Sequence, residues 1–202
     1  LCSGPEASTD WLARSSWRLA VGVVGSGRMA AIVVDPARVM EFRDAAAFAA
    51  WLEGHHDSWP EVWIKMHKAG SGLVSVTAKE AIDVAPCWGW IDAVRKGLDE
   101  RSFLQRYTPR GRRSLWSRVN VENVARLTRE GRMTAHGLRH VEAAKADGRW
   151  ERAYGADLAI PEDFQAAIDA VPAARAMLEQ LSARNRFALA FRVHNLKTAA
   201  AR

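Results

Sequence analysis

Side-chain periodicity changes once along this chain, and that change limits the folds open to it more than any other feature. From Glu61 to His67 polarity alternates: Val62, Ile64 and Met66 fall on one side, and Glu61, Trp63, Lys65 and His67 on the other. Period-two alternation marks a half-buried strand, because successive Cβ atoms leave opposite faces of a sheet. Two further strand-like runs, Trp88 to Lys96 and Ser102 to Thr108, are joined by Gly97-Leu-Asp-Glu-Arg101, a loop suited to a β-hairpin. Pro109 closes the second run. Beyond Asn120 the apolar residues recur at helical spacing. Val121, Val124 and Leu127 share one face, and Phe164, Ala167, Ile168 and Val171 share another. Pro161 and Pro172 each stand where a helix can begin, since a first-turn N–H has no intrahelical partner to lose.

The expectation is therefore an α+β fold: a mixed N-terminal domain with a small antiparallel sheet and a hairpin, followed by an all-helical C-terminal unit. Residues 1–40 read as an N-terminal extension, partly disordered. Residues 41–156 read as the α+β domain and 157–202 as the helical unit. Within the first domain Asp44 caps a helix carrying Phe48, Trp51 and Leu52, which ends at Trp59-Pro60. Thr77-Ala-Lys-Glu80 is a capping box opening a helix with Ala81, Val84, Ala85 and Trp88 on one face. Asn120 and Thr134 read as the caps of two later helices, the second ending at Gly148.

Composition narrows the function classes. With 49% hydrophobic and 26% charged residues in 202, the chain is not mainly disordered. No apolar run approaches the roughly 18 to 20 residues that span a bilayer. The longest, Leu19 to Gly25, follows Arg14 and Arg18 and makes only a marginal secretion signal. Two cysteines, Cys2 and Cys87, do not make a disulfide framework, so the expected location is the cytoplasm, with the periplasm as the alternative. The net charge of +6 favours an anionic partner. Gly25-Ser-Gly27-Arg-Met-Ala30 fits a dinucleotide fingerprint. The β-branched run and Pro36 that follow leave no helix to receive a pyrophosphate, so it reads as a turn.

Few residues suggest catalysis. His55-His56-Asp57 invites a metal reading, but neighbours on a helix point about 100° apart, and the expectation is a polar helix end without a metal. Cys87 reads as a buried structural thiol. The informative segment is Trp88 to Arg118, with eight basic residues against Asp92, Asp99 and Glu100 and with interleaved aromatics. Guanidinium groups grip phosphate or carboxylate through paired hydrogen bonds, and indoles stack on planar ligands. The candidate ligand-binding set is Arg106, Arg110, Arg112 and Arg113 at one mouth, with Trp90, Trp116 and Lys65 beside it. The bland alternative has Arg106 pairing with Asp92 across the hairpin and the turn arginines facing water.

Several blocks of the sequence occur together in order. They are Glu61-Val-Trp-Ile-Lys65, Gly70-Ser-Gly72, Ser75 to Ala85, Cys87-Trp-Gly-Trp-Ile-Asp92, Gln105-Arg-Tyr-Thr-Pro-Arg110, Ser114-Leu-Trp-Ser-Arg-Val-Asn120 and Glu142 to Trp150. In these the chain resembles the YdeI/OmpD-associated, or bacteriocin-protection, family, and the stretch from Pro161 to Arg202 is similar to the start of that family's helical C-terminal domain. In the family a Lys/Arg-rich helix follows, so the helical unit is expected to be truncated at Arg202. The resemblance implies a role in envelope stress and in resistance to antimicrobial peptides, and a link to an outer-membrane porin. It implies no catalytic residues and no cofactor. The resulting expectation is a non-enzymatic stress or resistance protein that binds an anionic small molecule or an acidic partner. An enzyme acting on a small anionic substrate and a nucleic-acid-binding regulator are the alternatives.

Overall fold

The computed structural model describes residues 32–155 and 157–196. The Leu19–Gly25 run, the Gly25–Ala30 turn and Cys2 lie outside the described residues. Among the described residues the chain divides into two compact units, one of residues 32–114 with Asn123–Ala143 and one of Leu115–Glu122 with the remainder from Ala144.

The first unit is built on four strands: β1 (Val39–Met40), β2 (Val62–His67), β3 (Trp90–Gly97) and β4 (Ser102–Pro109), in the order β1-β2-β4-β3. β2 pairs antiparallel with β4, setting Val62 opposite Tyr107 and Trp63 opposite Arg106, and β3 pairs antiparallel with β4 through the expected hairpin. A register shift between Asp92 and Arg95 puts a bulge in β3, which is the outermost strand and is exposed along most of its length.

One correction follows at the other end of the sheet. β1 runs parallel to β2, so the sheet is mixed rather than antiparallel. Its two residues lie at the end of the stretch 1–40 that the sequence reads as an N-terminal extension. A strand that short shows no alternation, and only the preceding 3-10 turn Pro36–Arg38, whose N–H at Ala37 is accepted by the Asp35 carboxylate, marks its approach.

Helix α1 (Ala45–His55) begins where Asp44 accepts the Ala47 N–H at 2.9 Å. Helix α2 (Ala78–Val84) opens on the capping box: Thr77 Oγ1 accepts from Glu80 N, and Glu80 accepts from Thr77 N at 2.8 Å. It does not continue to Trp88. Pro86 has no N–H to bond one turn back, and the chain tightens into a 3-10 turn over Ala85–Trp88 that Gly89 closes at φ 70°.

Phe42, Phe48, Leu52, Val62, Ile64, Met66, Val76, Val84, Trp90 and Tyr107 form one core on a single face of the sheet. The opposite face of β2 is also covered, which the alternation did not foretell. Trp63 is 1% exposed, its indole donates to Glu61, and the Arg106 guanidinium lies 5.9 Å over its ring.

Helix α3 (Arg118–Arg129) and helix α4 (Ala135–Ala146) contribute residues to both units. The cap of α3 is Ser117, whose Oγ accepts from Asn120 N, not Asn120 itself. Thr134 caps α4 by accepting from Gly137 N, and its hydroxyl donates to the Cys87 carbonyl at 2.5 Å. In the second unit Trp116 lies 4.8 Å from Trp150, and Tyr154 meets Phe191 at 4.8 Å. Helices α5 (Glu162–Asp169), α6 (Pro172–Gln180) and α7 (Ala183–His194) follow, burying Ile168, Ala190 and Val193. No helix among the described residues is long and apolar enough to cross a membrane.

Candidate functional site

The seven side chains expected at one mouth are divided by the pleat of the sheet. Arg106 stands opposite Trp63 on β2, and Lys65 shares that face two residues on. Trp90 belongs to the core on the other face, together with Tyr107. It is fully enclosed, and its indole donates to the His56 carbonyl at 3.1 Å, so it fills the core instead of offering a stacking surface. Trp116 is buried in the second unit.

The two cations on the outer face are neutralised. Arg106 donates from Nε to Glu61 at 2.6 Å and pairs with the same carboxylate through Nη2. Asp92, which the sequence offered as its partner, stands opposite Tyr107 instead. Lys65 donates to Glu41 at 3.0 Å, and the other oxygen of Glu41 lies 2.8 Å from His67 Nε2. Burial pushes the Glu41 carboxyl up, but hydrogen bonds from Lys65 and His67, reinforced by their charges, carry it below its ordinary value. Asp92 moves the other way, because the protein around its carboxyl removes water from the charged form, with nearby Arg110 and Arg95 only partly offsetting this.

What remains of the expected site is the turn after β4. Arg110 is buried to 6% exposure, and its backbone N–H bonds to the Gly89 carbonyl at 2.8 Å. The Ser114 N–H closes the turn on the Gly111 carbonyl at 2.9 Å. Arg112 and Arg113 project from it, both exposed and without an ion pair to any of the described residues.

Cys87 is buried, its thiol donates to the Asp83 carbonyl, and burial pushes its pKa up, as fits an inert structural cysteine. One group escaped the reading of the sequence. His136 and His140 stand one turn apart on α4, with ring centroids 5.3 Å apart, and the His136 ring meets His56 at 4.4 Å. Their i, i+4 spacing was the available signal. Burial holds the His136 imidazole below its ordinary pKa; Asp57 opposes this, while His56 and Arg139 add to it.

Residues 40–140, half of the chain, match a domain of unknown function, DUF8412. Residues 157–202 match the family described as bacteriocin-protection, YdeI or OmpD-associated. The sequence blocks between Glu61 and Asn120 thus fall within the first match, and the helical C-terminal segment within the second. No curated protein and no solved structure matches the chain. The chain belongs to the family defined by the DUF8412 domain, and its residues 157–202 are similar to the family described as bacteriocin-protection, YdeI or OmpD-associated.

Proposed function

We propose that this is a non-enzymatic stress and antimicrobial-resistance protein that binds an anionic ligand at the turn following β4. The carrying observation is the pair Arg112 and Arg113, exposed side by side on a short closed turn with no carboxylate among the described residues to neutralise them. Arg106 and Lys65, by contrast, are held by Glu61 and Glu41. Buried Arg110 at the base of the turn adds positive potential behind the pair. Two adjacent guanidinium groups suit a phosphate or carboxylate group, which each can bind through parallel N–H donors. The family description matched by residues 157–202, bacteriocin-protection, YdeI or OmpD-associated, supports the resistance reading.

The double substitution Arg112→Ala, Arg113→Ala tests this directly. Calorimetry with inorganic pyrophosphate as the probe should show binding weaker by at least about a hundredfold, since each charge-assisted contact contributes roughly 1.5 to 3 kcal/mol. Both residues are exposed, so the variant keeps its fold. Cells expressing it should also lose protection against a bacteriocin that the parent chain confers. Equal pyrophosphate affinity in parent and variant rejects the site, and a single-stranded oligonucleotide bound far more tightly than pyrophosphate replaces this reading with the nucleic-acid one.

A further inference from the structure

We propose that His56, Asp57 and His136 form a binding site for a divalent transition-metal ion of the Zn2+ type. The helical-wheel objection to His56 and Asp57 fails because α1 ends at His55. His56 is the residue that caps it, Asp57 lies in the turn beyond, and the third group arrives from the first turn of α4. The ligating atoms of the three residues all lie within 4.8 Å of one another. Asp57 sits in the middle, with Oδ2 3.2 Å from His56 Nε2 and Oδ1 3.4 Å from His136 Nδ1. Nitrogen and oxygen donors held at about 2.0 to 2.1 Å around a tetrahedral zinc stand about 3.4 Å apart, so these separations need little adjustment.

The hydrogen bonds of the two rings assign their tautomers. His56 Nδ1 donates to the Leu52 carbonyl at 2.9 Å, so in the neutral ring the lone pair is on Nε2, the nitrogen beside Asp57. A backbone carbonyl on the remote nitrogen is the usual way a ligating imidazole is oriented. His136 Nδ1 accepts from Arg139 at 2.7 Å, so its lone pair also lies on the side of Asp57. In their neutral forms the two rings would present lone pairs to the two oxygens of one carboxylate. Separations of 3.2 and 3.4 Å between these ligating atoms are those a bound cation would bridge.

The ligands are also held in place. His56 packs on Trp88 at 4.9 Å. α4 is tied to the chain just before Trp88 by Thr134 Oγ1 on the Cys87 carbonyl. A side-chain carbon at Gly89 would collide with His140, so only glycine lets that part of the chain approach α4. The histidine side chains are 18% and 16% exposed and Asp57 is 71% exposed, so an ion held here keeps a coordination position open to solvent. Arg139 is the opposing feature. Its guanidinium already donates to the lone pair the ion would take, but it is exposed and can swing into water.

The experiment uses the full 202-residue chain, stripped with a chelator and titrated with Co2+ for its visible d–d absorption, then with Zn2+ in competition against a chromophoric chelator. One Co2+ per chain with a low-symmetry, high-intensity spectrum is expected. His136→Gln and His56→Gln each abolish that spectrum, and Asp57→Asn weakens Zn2+ at least about tenfold. Arg139→Gln tightens Zn2+ about tenfold, the size of the repulsion between a guanidinium and a dication across about 5 Å of water-like medium. Asp57 and Arg139 are exposed, so those two variants decide the matter even if a histidine variant unfolds. A parent chain that gives no such spectrum overturns the proposal, as does an affinity unchanged in both Asp57→Asn and Arg139→Gln. Either result means that the imidazoles face Asp57 as protonated partners.

Discussion

Two glycines lie inside helices of the first unit, and replacing each by alanine should change stability in opposite directions. Gly54 is in the last turn of α1, and a methyl group there meets nothing within 4 Å. Alanine lowers the entropy of the unfolded chain, so Gly54→Ala should gain about 0.5 to 1 kcal/mol. Gly137 lies in α4, where the same propensity gain applies. Its added carbon, however, would lie 2.7 Å from both the Pro86 oxygen and the Cys87 carbonyl carbon, and closer still to the Cys87 carbonyl oxygen. These are backbone atoms in a turn fixed by Pro86, and they cannot rotate away as a side chain would. Overpacking of this kind costs typically 1 to 3 kcal/mol. A wall of backbone belongs at the upper end, so the net loss is about 1 to 2 kcal/mol. At roughly 2 to 4 °C per kcal/mol for a chain of this size, Gly54→Ala should raise Tm by about 2 to 3 °C and Gly137→Ala should lower it by about 3 to 6 °C. Circular dichroism melts of the two variants beside the parent provide the check. A Gly137→Ala protein that gains stability as Gly54→Ala does would show that α4 does not rest on the 86–87 turn as described.

Thr77→Ala removes the hydroxyl end of the capping box on α2 and should cost about 1 kcal/mol, read as a lower urea midpoint with an unchanged slope. Tyr107 has a buried hydroxyl with no hydrogen-bond partner among the described residues, so Tyr107→Phe should be neutral or stabilising by up to about 1 kcal/mol. A loss larger than that in the denaturant midpoint refutes the assignment. The carboxyls of Glu41, Glu80 and Asp99 are all held below their ordinary values: Glu41 by Lys65 and His67 against the pull of burial, Glu80 by Thr77, and Asp99 by Ser102 and the Arg101 N–H. A folded pKa below the unfolded one contributes stability that is full above the unfolded value and lost as pH falls through the folded one. The three carboxyls therefore take stability away only below about pH 4, while His136, held below its ordinary value, removes a smaller share as pH falls from about 7. Tm should decline modestly between about pH 7 and 5 and steeply below about pH 4; a rise in Tm on acidification below pH 4 would contradict the carboxyl assignments.

The parts legible in the sequence are those governed by neighbours along the chain. Asp44, the Thr77–Glu80 box, the Gly97–Arg101 hairpin and the starts at Pro161 and Pro172 each act within about four residues, and each element stands where they place it. The failures came from partners remote in sequence. Nothing near Val39 announces a parallel neighbour in β2. Trp63 looked outward because alternation says which side a residue faces, not whether that side is covered. The basic segment was legible as charge, but pairing is a tertiary matter: Glu61 and Glu41 took Arg106 and Lys65 out of the site, and the pleat separated Arg106 from Trp90. His56 and His136 meet only because α4 returns to the end of α1, and no local pattern encodes that return.

The two margins of the sheet bear on how the protein behaves in company. An unsatisfied strand margin invites any passing extended segment to dock on its free N–H and C=O groups, and repeated docking is the start of a fibre. Here one margin is β1, only two residues long, too brief to hold a visitor. The other, β3, is long and exposed, but the bulge between Asp92 and Arg95 breaks its regular spacing, and Arg95 and Lys96 would carry positive charge into the seam. A newcomer would meet a step out of register at the bulge. The sheet can therefore leave both margins uncovered without becoming a template for other chains.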